Sequence, residues 1–96
     1  MNIQFNFEWD KHKASLNYQK HKVDFEEAAT VFSDPFSITV ADPDHSTAEE
    51  RFVDIGMSAR GHLLVVVYTE RGKNIRIISC RKVTTLERRL YAQSNN

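Results

Sequence analysis

The chain has 96 residues, 41% apolar and 27% charged, with 13 Lys/Arg against 13 Asp/Glu. Those figures fit one globular domain with a single modest core, and they exclude a second core and a charge-rich disordered polymer. The charge is uneven, since residues 1–59 hold 5 Lys/Arg against 11 Asp/Glu and residues 60–96 hold 8 against 2. A neutral protein with a basic C-terminal part suits a local anionic partner and not a coating of nucleic acid.

Residues 3–9 alternate Ile3, Phe5, Phe7 and Trp9 with polar neighbours, which predicts a short strand with one buried face. Asp10 offers an N-cap for a mostly polar helix to about Lys20. Lys11, His12, Lys13, Lys20, His21 and Lys22 make this a second basic zone. A solvated face is the commoner explanation of such a zone, and an extra anion contact is the functional one. Asp24 caps a second helix in which Phe25, Ala28, Ala29 and Phe32 recur at i, i+3, i+4 and i+7. That stripe should dock on a sheet, and Asp34-Pro35 should end the helix.

Phe36, Ile38 and Val40 predict a strand, followed by a polar acidic loop over residues 42–50. Val53, Ile55 and Met57 predict another strand, ending near Gly61. Residues 62–69 are apolar on both faces and belong in the middle of the sheet. Gly72 marks a turn, and Asn74 to Cys80 predict a further strand. Thr84 then caps a last helix, with Glu87 three residues on to close a capping box. In it Val83, Leu86 and Leu90 form an apolar stripe, turning Arg88 and Arg89 outward.

No crossover helix separates the four consecutive strands, so the expected fold is α+β: one domain over residues 1–96, an antiparallel meander with two N-terminal helices and one C-terminal helix segregated against it. No apolar run approaches a membrane span and no secretory signal is evident, which predicts a cytoplasmic protein without a membrane partner. The single cysteine, Cys80, fits a small apolar thiol in a buried strand.

Arginines recur along the basic strand and helix. Three guanidinium groups at Arg76, Arg81 and Arg88 could bind RNA phosphates or stabilise a developing phosphorane. Strict alternation sends Arg76 and Arg81 to opposite faces, so a bulge or bend near Ser79 is required before both serve one site. Cross-strand ion pairs of Arg71, Arg76 and Arg81 with the acidic half explain the same residues equally well. Glu87 and His45 are candidate bases, although neighbouring guanidinium groups would weaken Glu87 in that role. Tyr91 and Lys73 are candidate donors to a leaving oxygen, and Lys73, Arg71 and Arg89 candidate substrate contacts. The loop with His45 fails the calcium-binding template, and a lone histidine is not a zinc site, so no metal or cofactor is expected.

The blocks Phe7-Glu8-Trp9-Asp10, residues 20–28, Phe32-Ser33-Asp34-Pro35, Glu49-Glu50-Arg51-Phe52, Ile55-Gly56-Met57-Ser58 and residues 75–81, with Glu87, Arg88 and Tyr91, resemble the BrnT toxin family over nearly the whole chain. The resemblance implies the toxin of a type II toxin–antitoxin pair, with a RelE-like ribonuclease fold, that cuts RNA and inhibits translation. It also implies a BrnA-type antitoxin as partner, with DNA reached only through the antitoxin complex. Lys22 stands where the family usually has glycine, which bears on a turn, and Cys80 where alanine is usual.

Two functional classes are therefore open. One is a metal-independent endoribonuclease whose Arg76, Arg81 and Arg88 stabilise charge. The other is a non-catalytic basic module that binds an acidic protein or nucleic acid.

Overall fold

Alternation and capping translate into elements in the computed structural model, which describes residues 5–41 and 50–95. The order is β1 (Asn6–Glu8), α1 (Lys11–His21), α2 (Phe25–Thr30), a 3-10 turn (Val31–Ser33), β2 (Ile38–Ala41), β3 (Phe52–Met57), β4 (Leu63–Arg71), β5 (Asn74–Lys82) and α3 (Thr85–Ser94). Asp10, Asp24 and Thr84 cap the three helices, and Thr84 with Glu87 makes both bonds of the capping box. The loop over residues 42–49, with His45, lies outside the described residues, as does Ile3.

The sheet order is β1-β5-β4-β3-β2, with β4 in the middle, as its two apolar faces required. Strands β2 to β5 form the antiparallel meander. The first strand departs from it, because β1 pairs in parallel with β5. Alternation within β1 fixes which side chains face inward, but not which edge the strand joins.

The helices occupy both faces. On one, α1 and α2 close over a core of Val23, Phe25, Ala28, Val31, Leu64, Val66, Ile77 and Cys80. On the other, Val83, just before α3, and Tyr91 within it pack against a smaller cluster of Ile55, Leu63 and Val65. The expected stripe of Val83, Leu86 and Leu90 is thus corrected, since Leu86 is 66% and Leu90 44% exposed. Glu87 and Tyr91, four residues apart on one helix face, bind Arg81 and Asp34, and these bonds rotate α3 away from its leucines.

Three local features hold the frame. Asn17 lies beside β5 beyond the end of β1, where its side-chain amide donates to the Cys80 carbonyl at 2.9 Å and accepts from the Cys80 N–H at 3.1 Å. It thereby supplies the hydrogen bonds that a further strand residue would have made. Gly56 sits where β3 presses on the 3-10 turn, so that a Cβ there would come within 2.8 Å of Val31 Cγ1. Lys22 ends α1 in the left-handed conformation at φ 60°, its N–H donating to Tyr18 O at 2.8 Å. That is a position glycine occupies without strain.

Candidate functional site

Val67 pairs with Ser79 and Tyr68 with Ile77, which leaves Ile78 as an extra residue in β5. This bulge resets the alternation, so Ile77 and Cys80 both enter the core under α1 and α2, while Arg76 and Arg81 share the other face. The condition set by the sequence is met one residue before Ser79.

The arginines nevertheless belong to different neighbourhoods. Arg76 donates to Glu8 Oε2 at 2.8 Å across the β1–β5 pair, and Asn74 donates to the other carboxylate oxygen at 3.0 Å. These hydrogen bonds, with the charges of Arg76 and Arg71, hold Glu8 below the usual carboxylate range. Arg71 and Lys73 are exposed at this same end of the strand. Arg81 instead binds Glu87 with two parallel bonds of 2.8 Å. From Asn74 to Lys82 the strand runs roughly 25 Å at about 3.3 Å per residue, so Lys73 and Arg88 stand at opposite ends of it.

Two of the expected proton-transfer groups, Glu87 and Tyr91, are engaged. Hydrogen bonds from Arg81 outweigh burial and hold Glu87 at a pKa of about 2, so at neutral pH it is an anion bound on both oxygens. Tyr91 donates to Asp34 Oδ2 at 2.7 Å, and burial together with that carboxylate raises its pKa to about 12. Burial likewise raises the Cys80 thiol to about 12, consistent with an inert core residue.

Two clefts meet the basic end of β5. A groove of about 430 Å³ has an apolar floor of Val53, Val65 and Val67, with Arg81 and Glu87 at one side and Lys20 and His21 at another. Part of the basic zone of α1 therefore joins the arginine region instead of facing only solvent. A second cleft of about 240 Å³ lies where the β3–β4 hairpin, the end of β5 and α3 meet, lined by Met57, Gly61, His62, Leu63, Lys82 and Arg88. Arg89 is exposed on the same helix as Arg88.

Beside the second cleft stands a polar cluster that sequence reasoning missed. Glu27 is buried on α2, and its Oε2 accepts from Ser58 Oγ at 2.6 Å and from His62 Nδ1 at 2.8 Å. Arg60 approaches Glu27 at 3.5 Å and Asp24 at 3.3 Å. Burial pushes Glu27 upward, but the bonds from Ser58 and His62 and the nearby positive charge bring it below the usual range. Glu27 and His62 lie 35 residues apart, and neither belongs to a motif, so only the folded chain joins them. A weak signal existed in Glu27 itself, a charged residue next to the apolar stripe of its helix.

Among the described residues, no group of three His, Cys, Asp or Glu side chains is placed to hold a metal ion, and no helix is long and apolar enough to cross a membrane. A family model described as "Ribonuclease toxin, BrnT, of type II toxin-antitoxin system" matches residues 9–87. Among solved structures, the chain is similar to the crystal structure of the Brucella abortus ribonuclease toxin BrnT, with 22% identity and a TM-score of 0.62 over 85% of this chain and 100% of that one. No curated protein matches.

Proposed function

The chain belongs to the BrnT family, the ribonuclease toxins of type II toxin–antitoxin systems, and on that premise we propose that it is a metal-independent, RelE-like endoribonuclease that inhibits translation and is neutralised by a BrnA-type antitoxin covering its basic face. The observation that carries the proposal is the cationic end of β5, where Arg81, Lys82 and Arg88 gather about two clefts. Single-stranded RNA suits the larger one, since its bases can lie on the apolar floor while Lys20, His21 and Arg81 meet phosphates. Transesterification adds negative charge at phosphorus, and fixed guanidinium groups stabilise it without reorganising. Glu87 holds Arg81 in place. Arg76 and Lys73 lie away from the clefts and meet only RNA that extends toward the far end of the strand. DNA is contacted only by the antitoxin complex, and the setting is the cytoplasm.

Antitoxin-free protein should cleave free RNA in EDTA, or RNA in a translating extract without EDTA, and Arg81→Ala and Arg88→Ala variants of native fold should be slowed. Folded variants that cleave at the parent rate would overturn the assignment of these residues. Tight, salt-sensitive binding of RNA that stays intact in both assays would leave the non-catalytic module.

A further inference from the structure

On the ribonuclease reading above, we propose that His62 is the general base of the reaction, held by Glu27, and that the cleft it shares with Lys82 and Arg88 receives the scissile phosphate of RNA. Four observations lead there. Of the groups first expected to move protons, Glu87 is tied up on Arg81 and Tyr91 on Asp34, and Lys73 stands at the far end of β5. His62 is about half-exposed, its side chain at 49%, whereas Glu27 behind it is at 4%. A buried carboxylate can only accept hydrogen bonds, so it sets the imidazole proton on Nδ1 and leaves Nε2 as the basic nitrogen. Among the described residues no hydrogen bond engages Nε2, and the ring lines the cleft that holds two cations.

The turn carrying His62 is built for position. Ser58 Oγ donates to Glu27 and accepts from the N–H groups of Arg60 and His62 at 3.3 and 3.2 Å, while Ser58 N–H donates to His62 O at 2.8 Å. Gly61, at φ 82°, lets the hairpin turn immediately before the histidine. The carboxylate, serine and histidine thus form one rigid unit, in which the serine hydroxyl points at the carboxylate and orients it. It is not activated by the imidazole, so a serine nucleophile does not fit this geometry.

The chemistry balances without a co-reactant. Nε2 removes the proton of a ribose 2′-hydroxyl as the 2′-oxygen bonds to phosphorus. The bond from phosphorus to the 5′-oxygen breaks, that oxygen leaves with a proton from water, and the imidazolium returns its proton to the hydroxide that remains. The products are a 2′,3′-cyclic phosphate and a 5′-hydroxyl. Lys82 and Arg88 offset the added phosphorane charge. Charged groups around the ring are Glu27 on α2, Asp24 and Arg60 behind it, Lys82 on β5 and Arg88 on α3.

Cleavage would be followed on whichever substrate the parent cuts, free RNA or a translating extract, with His12→Ala as control. His62→Ala should fold, given its exposure, and lose about 10²- to 10⁴-fold in rate. Added imidazole should restore part of that loss, which a merely structural histidine would not allow. Glu27→Gln should lower kcat about tenfold with KM unchanged, because a carboxamide can turn its N–H toward the ring and no longer holds the imidazole proton on Nδ1. A parent that leaves both substrates intact overturns the ribonuclease reading and this inference with it. A parent that cleaves beside a folded His62→Ala that cleaves equally fast overturns the inference alone.

Discussion

Arg76 and Arg81 stand on one strand and one face, each within 2.8 Å of a carboxylate, yet the two ends of β5 are organised for different purposes. At the first end the carboxylate is Glu8 of the neighbouring strand, so the pair ties β1 to the sheet, as the ion-pair explanation of these arginines required. At the second end it is Glu87 of α3, and the pair fixes a helix whose next residue, Arg88, lines a cleft with His62. The lesson is that an arginine's role follows from what its carboxylate is attached to. A strand partner makes an edge seam; a helix partner sets the wall of a cleft.

The sharpest way to break this contrast is kinetic. Lys82→Ala with Arg88→Ala should lower RNA cleavage about 100-fold, while Arg71→Ala with Lys73→Ala should change it by less than about threefold. Equal losses at the two ends would merge them into one extended RNA track.

Stability gives a smaller effect. Arg81→Ala leaves Glu87 without its two-pronged partner and should destabilise the protein by about 1–2 kcal/mol in denaturant melts, a figure held down by the 40% exposure of the arginine side chain. Arg76→Ala should cost less, because its carboxylate partner Glu8, more exposed than Glu87, keeps water and Asn74.

The same pair predicts a pH dependence. Glu87 has a folded pKa below its ordinary 4.5, so its contribution is complete above that value and is lost as pH falls toward about 2. The stability difference between parent and Arg81→Ala should therefore be constant near neutrality and shrink between those limits in acid melts. A difference that persisted at pH 2 would mean that packing, not charge, holds α3.

The smallest effect concerns the helix beside the strand. Lys22→Gly should stabilise the protein by about 0.5 kcal/mol, because relief of a left-handed lysine exceeds the extra entropy glycine gives the unfolded chain. Its Tm should rise while cleavage at either end of β5 stays unchanged.

Much of the frame was legible because its causes are local. Asp10, Asp24 and Thr84 act on N–H groups three residues away, and alternation in Val53, Ile55 and Met57 needs no knowledge of a partner. The double apolar face expected over residues 62–69 placed β4 centrally for the same reason. The site was legible only in part. A basic strand and helix could be seen, and so could the requirement for a bulge, but not that the bulge would fall at Ile78 or that the cations would divide between two ends. Leu86 and Leu90 misled, since a helix's apolar stripe indicates a preferred face and Glu87 and Tyr91 chose another.

The sequence by itself determined the elements, their caps, the central strand and the concentration of positive charge after residue 60, because periodicity, capping and composition are properties of short stretches. Tertiary structure alone decided that β1 joins β5 in parallel, that Asn17 stands in for a strand residue at Cys80, and that Glu27 meets His62 beside Lys82 and Arg88. Those are pairings of residues far apart in the chain. Each single partner is chemically ordinary, and only packing of the sheet against its helices fixes which donor reaches which acceptor.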